Sequence, residues 1–165
     1  FLASMPGIPS TSTSAYINVS KVKATEYTID VQDGALKTAK CFVESIQGSP
    51  FEICMRTEFQ TVGVHVKIDG EEQAVVLVRP GSVSTVRGRL VGGNQLRPFQ
   101  FNKITLTDDD DEACQSEQVV KNLGTIVLEF RRIIELGTSR QTGGSAYADP
   151  TARSFHEKSK KAALA

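Results

Sequence analysis

No window of this sequence approaches the run of about 18 apolar residues that a membrane helix needs, so a soluble chain with no membrane partner is expected. Nor is there a surplus of charge. Nineteen basic and nineteen acidic residues cancel to a formal net charge of zero. That removes the broad positive field of proteins that wrap nucleic acid and argues against a nucleic-acid partner. Histidine occurs only as His65 and His156, and neither stands in a metal-ligand or triad spacing. A G-x-S-x-G elbow, a Walker loop and a dinucleotide fingerprint are all missing. No catalytic residue and no cofactor is therefore assigned, and the chain reads as a non-enzymatic protein.

Cysteine is almost as scarce. Cys41, Cys54 and Cys114 lack C-x-x-C spacing and are too few for the disulfide framework of a small secreted domain. Free thiols in the cytoplasm or nucleus are the simplest reading, with the side chains acting as small apolar groups. A Cys41 to Cys54 bridge stays open at this level.

What is present is β-type patterning. With 165 residues, 39% of them hydrophobic, the chain suits one domain with a single core. Residues 1–15 read as a flexible leader, in which Phe1 to Ser4 precede Met5 and are set aside as a remnant before the natural start. Residues 16–136 form the domain, 137–150 have linker composition, and 151–165 form a basic segment with a short helix as one option. Within the domain, strands are expected at 16–22, 27–32, 36–46, 50–57, 83–91, 97–106 and 123–135. The firmest feature is a hairpin in which Val62, Val64, Val66 and Ile68 alternate onto one face, and Asp69-Gly70 supplies the positive φ angles of a tight primed turn before Glu71 to Arg79. Eight or nine such strands must each hide an apolar face. They therefore predict an all-β fold, a two-sheet antiparallel sandwich of jelly-roll type, with Phe99, Phe101, Ile126, Leu128 and Phe130 also facing inward.

Charge is unevenly spread along this pattern. Asp108, Asp109, Asp110, Asp111 and Glu112 form an acidic loop that starts a helix expected at about 109–121, with Thr107 or Asp108 as its cap and the acidic residues of its first turn complementing the partial positive charge there. Between Glu72 and Asp108 no acidic residue occurs, while Arg79, Arg87, Arg89, Arg97 and Lys103 all do. These five form a candidate contact surface, set against the plainer expectation that they pair with the acidic loop. Calcium at Asp109 and Asp111 is the weaker alternative, because the spaced D-x-D-x-D-G pattern of a calcium loop is missing. Phe99 and Phe101 alternate about Gln100 and are expected in the core rather than on a ligand platform.

The ordered set Arg97-Pro98-Phe99-Gln100-Phe101, Leu106-Thr107-Asp108-Asp109-Asp110, Leu123-Gly124-Thr125-Ile126, Glu129 with Arg132, and His156-Glu157-Lys158-Ser159-Lys160-Lys161-Ala162 resembles an uncharacterised domain family abundant in mushroom-forming and related fungi. The Ile68-Asp69-Gly70 turn fits that pattern too, so the likeness extends over most of Tyr16 to Ala162. It implies an intracellular, mainly β domain with no catalytic residues to carry over. Members of that family generally continue past the lysine-rich segment. A chain ending at Ala165 is thus expected to be a shortened form or a short paralogue, whose sheet is either complete or leaves an edge open to a partner.

The function expected is that of a binding or scaffold module with a protein partner. A ligand-binding jelly roll for carbohydrate or a calcium-linked ligand, and a self-assembling structural protein, are the rivals. Calcium separates two of these readings. If the acidic loop only starts a helix and pairs with arginines, millimolar Ca²⁺ leaves the Tm unchanged, whereas an ion held by the native state stabilises by about 2.7 kcal/mol at roughly a hundredfold excess over Kd. Thermal melts with and without Ca²⁺, repeated on Asp109→Asn with Asp111→Asn, are expected to show no shift.

Overall fold

The computed structural model describes residues 7–8, 12–35, 37–92, 95–107, 120–133 and 154–156. The strands in chain order are β1 Gly7–Ile8, β2 Thr13–Val19, β3 Val22–Lys23, β4 Glu26–Asp33, β5 Lys37–Val43, β6 Phe51–Thr57 and β7 Val62–Ile68. They continue as β8 Glu71–Val78, β9 Val83–Val86, β10 Gly88–Val91, β11 Gln95–Pro98, β12 Thr105–Thr107, β13 Ile126–Arg132 and β14 Ser154–His156. The fold is all-β, as alternation predicts.

Two sheets face each other. One has the order β1-β2-β6-β9 with β3 beside β2, and the other has the order β13-β7-β8. From the first, Phe51, Ile53, Met55 and Val86 point inward; from the second, Val62, Val64, Val66 and Val78 do so, and all are buried. Ile53, Met55, Val64, Val66 and Val78 have no exposed surface at all. Removing such side chains from water is the main favourable term of folding. Ile68, Phe101, Ile126, Leu128 and Phe130 pack against this cluster and Phe99 belongs to it, so every residue expected on an inner face is in or against the core.

The hairpin forms where its sequence places it. Asp69 and Gly70 have φ of 52° and 78°, the left-handed pair that a primed turn requires. Asp69 does more than turn the chain, since its carboxylate accepts the Gly124 N–H at 2.6 Å and its own N–H donates to Thr125 O at 3.0 Å. Those bonds tie the hairpin tip to the turn that leads into β13, whose seven residues pair antiparallel with β7 in unbroken register.

Other strands depart from their expected limits for identifiable reasons. Regular structure starts before Tyr16: β1 pairs with β2, and β2 begins at Thr13, inside the segment read as a leader. Small side chains hide this from an apolar pattern, yet Thr13 is buried opposite Thr57 of β6. The run 83–91 breaks at Arg87, where the carbonyl accepts the Phe99 N–H at 3.0 Å and the chain leaves β9 for β10. The run 97–106 breaks after Pro98. Phe99 to Phe101 then clasp the chain just before β6, through Phe51 N–H to Phe99 O at 3.0 Å, Gly48 N–H to Phe101 O at 2.7 Å and Phe101 N–H to Ser49 O at 3.1 Å. This places the Phe51 ring against both Phe99 and Phe101, with centroids at 5.4 and 4.5 Å. The two sheets are joined by three separate ribbons, β4–β5, β10–β11 and the parallel pair β12–β14, where two sheets alone are expected. β14 is extended in the basic segment for which a short helix is an option. Of the helix expected at 109–121, only Val120 and Lys121 fall among the described residues, and they are helical. The acidic loop, Cys114 and residues 137–150 lie outside them.

Two glycines test this architecture by different routes. Gly70→Val forces a β-branched residue to positive φ, and destabilisation of about 1 kcal/mol or more is expected. Gly88 has ordinary φ but no room, because an added Cβ would lie 2.1 Å from the Arg97 carbonyl oxygen across the ribbon. Gly88→Ala is expected to cost about 1–3 kcal/mol through overpacking. Urea denaturation of both variants checks this, and a native midpoint for either contradicts the geometry.

Candidate contact surface

The β10–β11 ribbon carries two of the five basic residues singled out in the sequence, Arg89 and Arg97, and Arg87 immediately precedes it. Arg89 lies directly opposite Arg97, and Leu90 directly opposite Leu96. Strand alternation puts the two pairs on opposite faces. Arg89 is 9% exposed, whereas Leu90 and Leu96 are 61% and 51% exposed, so Arg89 meets protein while its partner Arg97 and the leucine face are exposed. Arg89 and Arg97 both take part in further contacts. Arg87, at the entrance to the ribbon, reaches Glu52 Oε1 of β6 at 3.0 Å. Its partner is thus a neighbouring strand. Arg79 lies just past β8 and Lys103 past the Phe99 to Phe101 clasp, both exposed. The structure gathers Arg87, Arg89 and Arg97 around one ribbon and describes no side chain of Asp108 to Glu112.

The outer face of the β13-β7-β8 sheet is a second polar array. His65 Nδ1–H donates to Glu72 Oε2 at 2.7 Å, since a carboxylate can only accept. Lys67 donates to Glu129 Oε1, and Arg131 donates to Glu129 Oε2 at 2.8 Å. The bond from Lys67, then that from Arg131, holds the Glu129 carboxyl well below the usual carboxylate range, at about 2. His65 thus sits outside the valine face, as alternation predicts, in a hydrogen bond that gives it a structural role.

The outer face of the β2-β6-β9 sheet holds Cys54, which is 2% exposed between its cross-strand neighbours Tyr16 and Thr85. Asn18 Nδ2 approaches its sulfur at 3.5 Å and Thr85 Oγ1 at 3.7 Å. Burial, and then the neighbouring thiol, push the Tyr16 hydroxyl above its ordinary range. Cys41 and Cys54 are both free, so the bridge between them is not made. Nearby, the Glu26 side chain is 5% exposed and meets Lys23 Nζ at 3.7 Å, with its Oε1 lacking a hydrogen bond. Burial outweighs that loose ion pair and raises the Glu26 carboxyl above its ordinary value. Burial likewise raises the Cys41 thiol. Among the described residues, no group of three or more His, Cys, Asp or Glu is placed to hold a metal ion, and no helix is long and apolar enough to cross a membrane.

A family model described as a domain of unknown function, DUF7918, matches residues 13–164 of this sequence. The chain belongs to the DUF7918 family. Its match begins at the first residue of β2 and runs past β14, so it takes in every described strand except β1. No curated protein and no solved structure matches the chain.

Sequence reasoning missed the exposed apolar pairs of this DUF7918 domain. Leu90 and Leu96 lie in predicted strands or beside them, but only the register of the ribbon shows that they meet. The signal was there in part: Leu90 alternates with Arg89, and Leu96 with Arg97.

The two displaced carboxyls give opposite pH dependences. Glu129 has a folded value depressed from 4.5 to about 2, so its contribution is present above 4.5 and is lost as pH falls through that window. Glu26 has a folded value raised above 4.5, so its ionised form costs stability at neutral pH and acidification relieves that cost. In thermal melts from pH 7 downward, Glu129→Gln is expected to be less stable than the native protein at pH 7, with the gap closing below pH 4.5. Glu26→Gln is expected to be the more stable at pH 7, again converging in acid.

Proposed function

We propose that this DUF7918 domain is a non-enzymatic binding module of the cytoplasm or nucleus that takes a protein partner on its β10–β11 ribbon. The exposed Leu90–Leu96 pair carries the reading, since adjacent large apolar side chains facing water on a ribbon are what a protein interface covers. Arg79, Arg97 and Lys103, all exposed, with no acidic residue between Glu72 and Asp108 in the sequence, argue for a partner that presents apolar side chains flanked by carboxylates. Free thiols at Cys41 and Cys54 support the reducing compartment. The Arg97 to Phe101 motif, with the segments that follow it in order, supports a fungal source for the family. The rival reading, an ion or carbohydrate site at Asp109 and Asp111, depends on side chains outside the described residues.

Affinity capture with the native protein, beside Leu90→Asp with Leu96→Asp, tests this reading. Both leucines are exposed, so the double variant is expected to keep its melting temperature and to lose the captured protein, and added salt is expected to weaken capture by the native chain. Equal retention by native and variant protein overturns the assignment of this ribbon.

A further inference from the structure

The β4–β5 ribbon is the least buried part of the described chain. Every residue from Tyr27 to Ala35 is exposed, as are Lys37, Ala39, Lys40 and Phe42. Tyr27 and Phe42 form a cross-strand pair that is 50% and 69% exposed, and Ile29 and Val31 are 41% and 40% exposed. An isolated two-stranded ribbon is marginal in water without a further strand or a covering layer. Neither edge of this ribbon is hydrogen-bonded to another strand among the described residues.

The two edges differ. β4 carries Glu26, Asp30 and Asp33 with no basic residue, and it has a bulge between Tyr27 and Asp30, with Thr28 at a φ of 49°. Charged side chains and a bulge are both devices that discourage strand addition. β5 is charged as well, through Lys37 and Lys40, but it has no bulge, and Lys40 and Glu44, the latter one residue past its end, lie on either side of Phe42 at equal spacing.

We infer that β5 is a homodimer edge, on which a second copy of this chain adds its own β5 antiparallel across a two-fold axis at Phe42. This proposal is independent of the partner assigned to the β10–β11 ribbon. A two-fold axis normal to the sheet opposes each residue to one of the same face, so the register is centred on a single residue. Centring on Lys40 opposes two ammonium groups, which is unfavourable. Centring on Phe42 opposes the two rings, extends them into a row with Tyr27 and Tyr27 of the partner subunit, and sets Lys40 against Glu44 of the partner subunit twice. The resulting sheet, β4-β5-β5-β4, has acidic, bulged β4 at both of its ends, so addition stops at two copies. Strand addition of this kind draws affinity from main-chain hydrogen bonds and register from the side-chain pairs.

Sedimentation equilibrium over a range of concentrations reads the proposal directly. The native chain is expected to show a monomer–dimer equilibrium. Lys40→Glu and Glu44→Lys are each expected to weaken the dimer about tenfold or more, since each converts two attractive pairs into repulsive ones. The double variant Lys40→Glu with Glu44→Lys is expected to regain most of the native affinity. Within one ribbon Lys40 lies opposite Asp30, so the double variant keeps any intrachain defect of Lys40→Glu and can recover only through the interchain pair. Phe42→Ser, at an exposed position, is expected to keep the native melting temperature and to remain monomeric. A native chain that is monomeric throughout, a double variant no tighter than the singles, or a Phe42→Ser chain that dimerises normally overturns the inference.

Discussion

The rest of the structure depends on the apolar contact between β6 and β7. Phe51, Ile53 and Met55 on one strand meet Val62, Val64 and Val66 on the other, and four of these six side chains have no exposed surface. Each strand is central in its own sheet, so the contact buries the middle of both. A strand has a period of two, and a one-residue slip would turn either set to solvent. That constraint sets the register of β2 and β9 on β6, and of β13 and β8 on β7.

The outer faces show the other side of the same alternation. On β7 the residues between the valines are Gly63, His65 and Lys67. Of these, His65 hydrogen-bonds Glu72 and Lys67 pairs with Glu129, both at the surface of the sheet. On β6 the corresponding position is Cys54, which is covered by Tyr16 and Thr85 instead of being solvated. One sheet thus turns a charged surface to water and the other a packed, weakly polar one. The Phe51 stack with Phe99 and Phe101 closes the end of the core where β9 departs, which gives the segment after Pro98 a structural role although it is not a strand.

Outside the sandwich, exposure follows from geometry. β4–β5 and β10–β11 are two-stranded, so each has two faces and only part of one can lie against the domain. Leu90 with Leu96, and Tyr27 with Phe42, are the apolar pairs left over. In a three-layer arrangement they would be ordinary core residues.

Sequence alone determined the all-β class, the Asp69-Gly70 turn and the inward faces. Alternation and positive φ are local properties: Val62 to Ile68 display the first and Asp69-Gly70 the second without reference to any other strand. It also determined where basic residues concentrate, because counting signs along a chain needs no fold. Only the tertiary structure decided which of them are reachable: Arg89 is buried and Arg87 is tied to Glu52, neither of which the linear pattern contains. The early start of β2 was invisible for a related reason, since Thr13 and Ala15 carry little apolar surface and are inner-face residues only because β6 lies beside them. Cys41 and Cys54 were undecidable by spacing, because whether two thiols meet depends on the placement of separate sheets. The exposed ribbon pairs were likewise undecidable, as an apolar side chain is core or surface according to whether a second layer covers it, and that is a property of the assembled sheets.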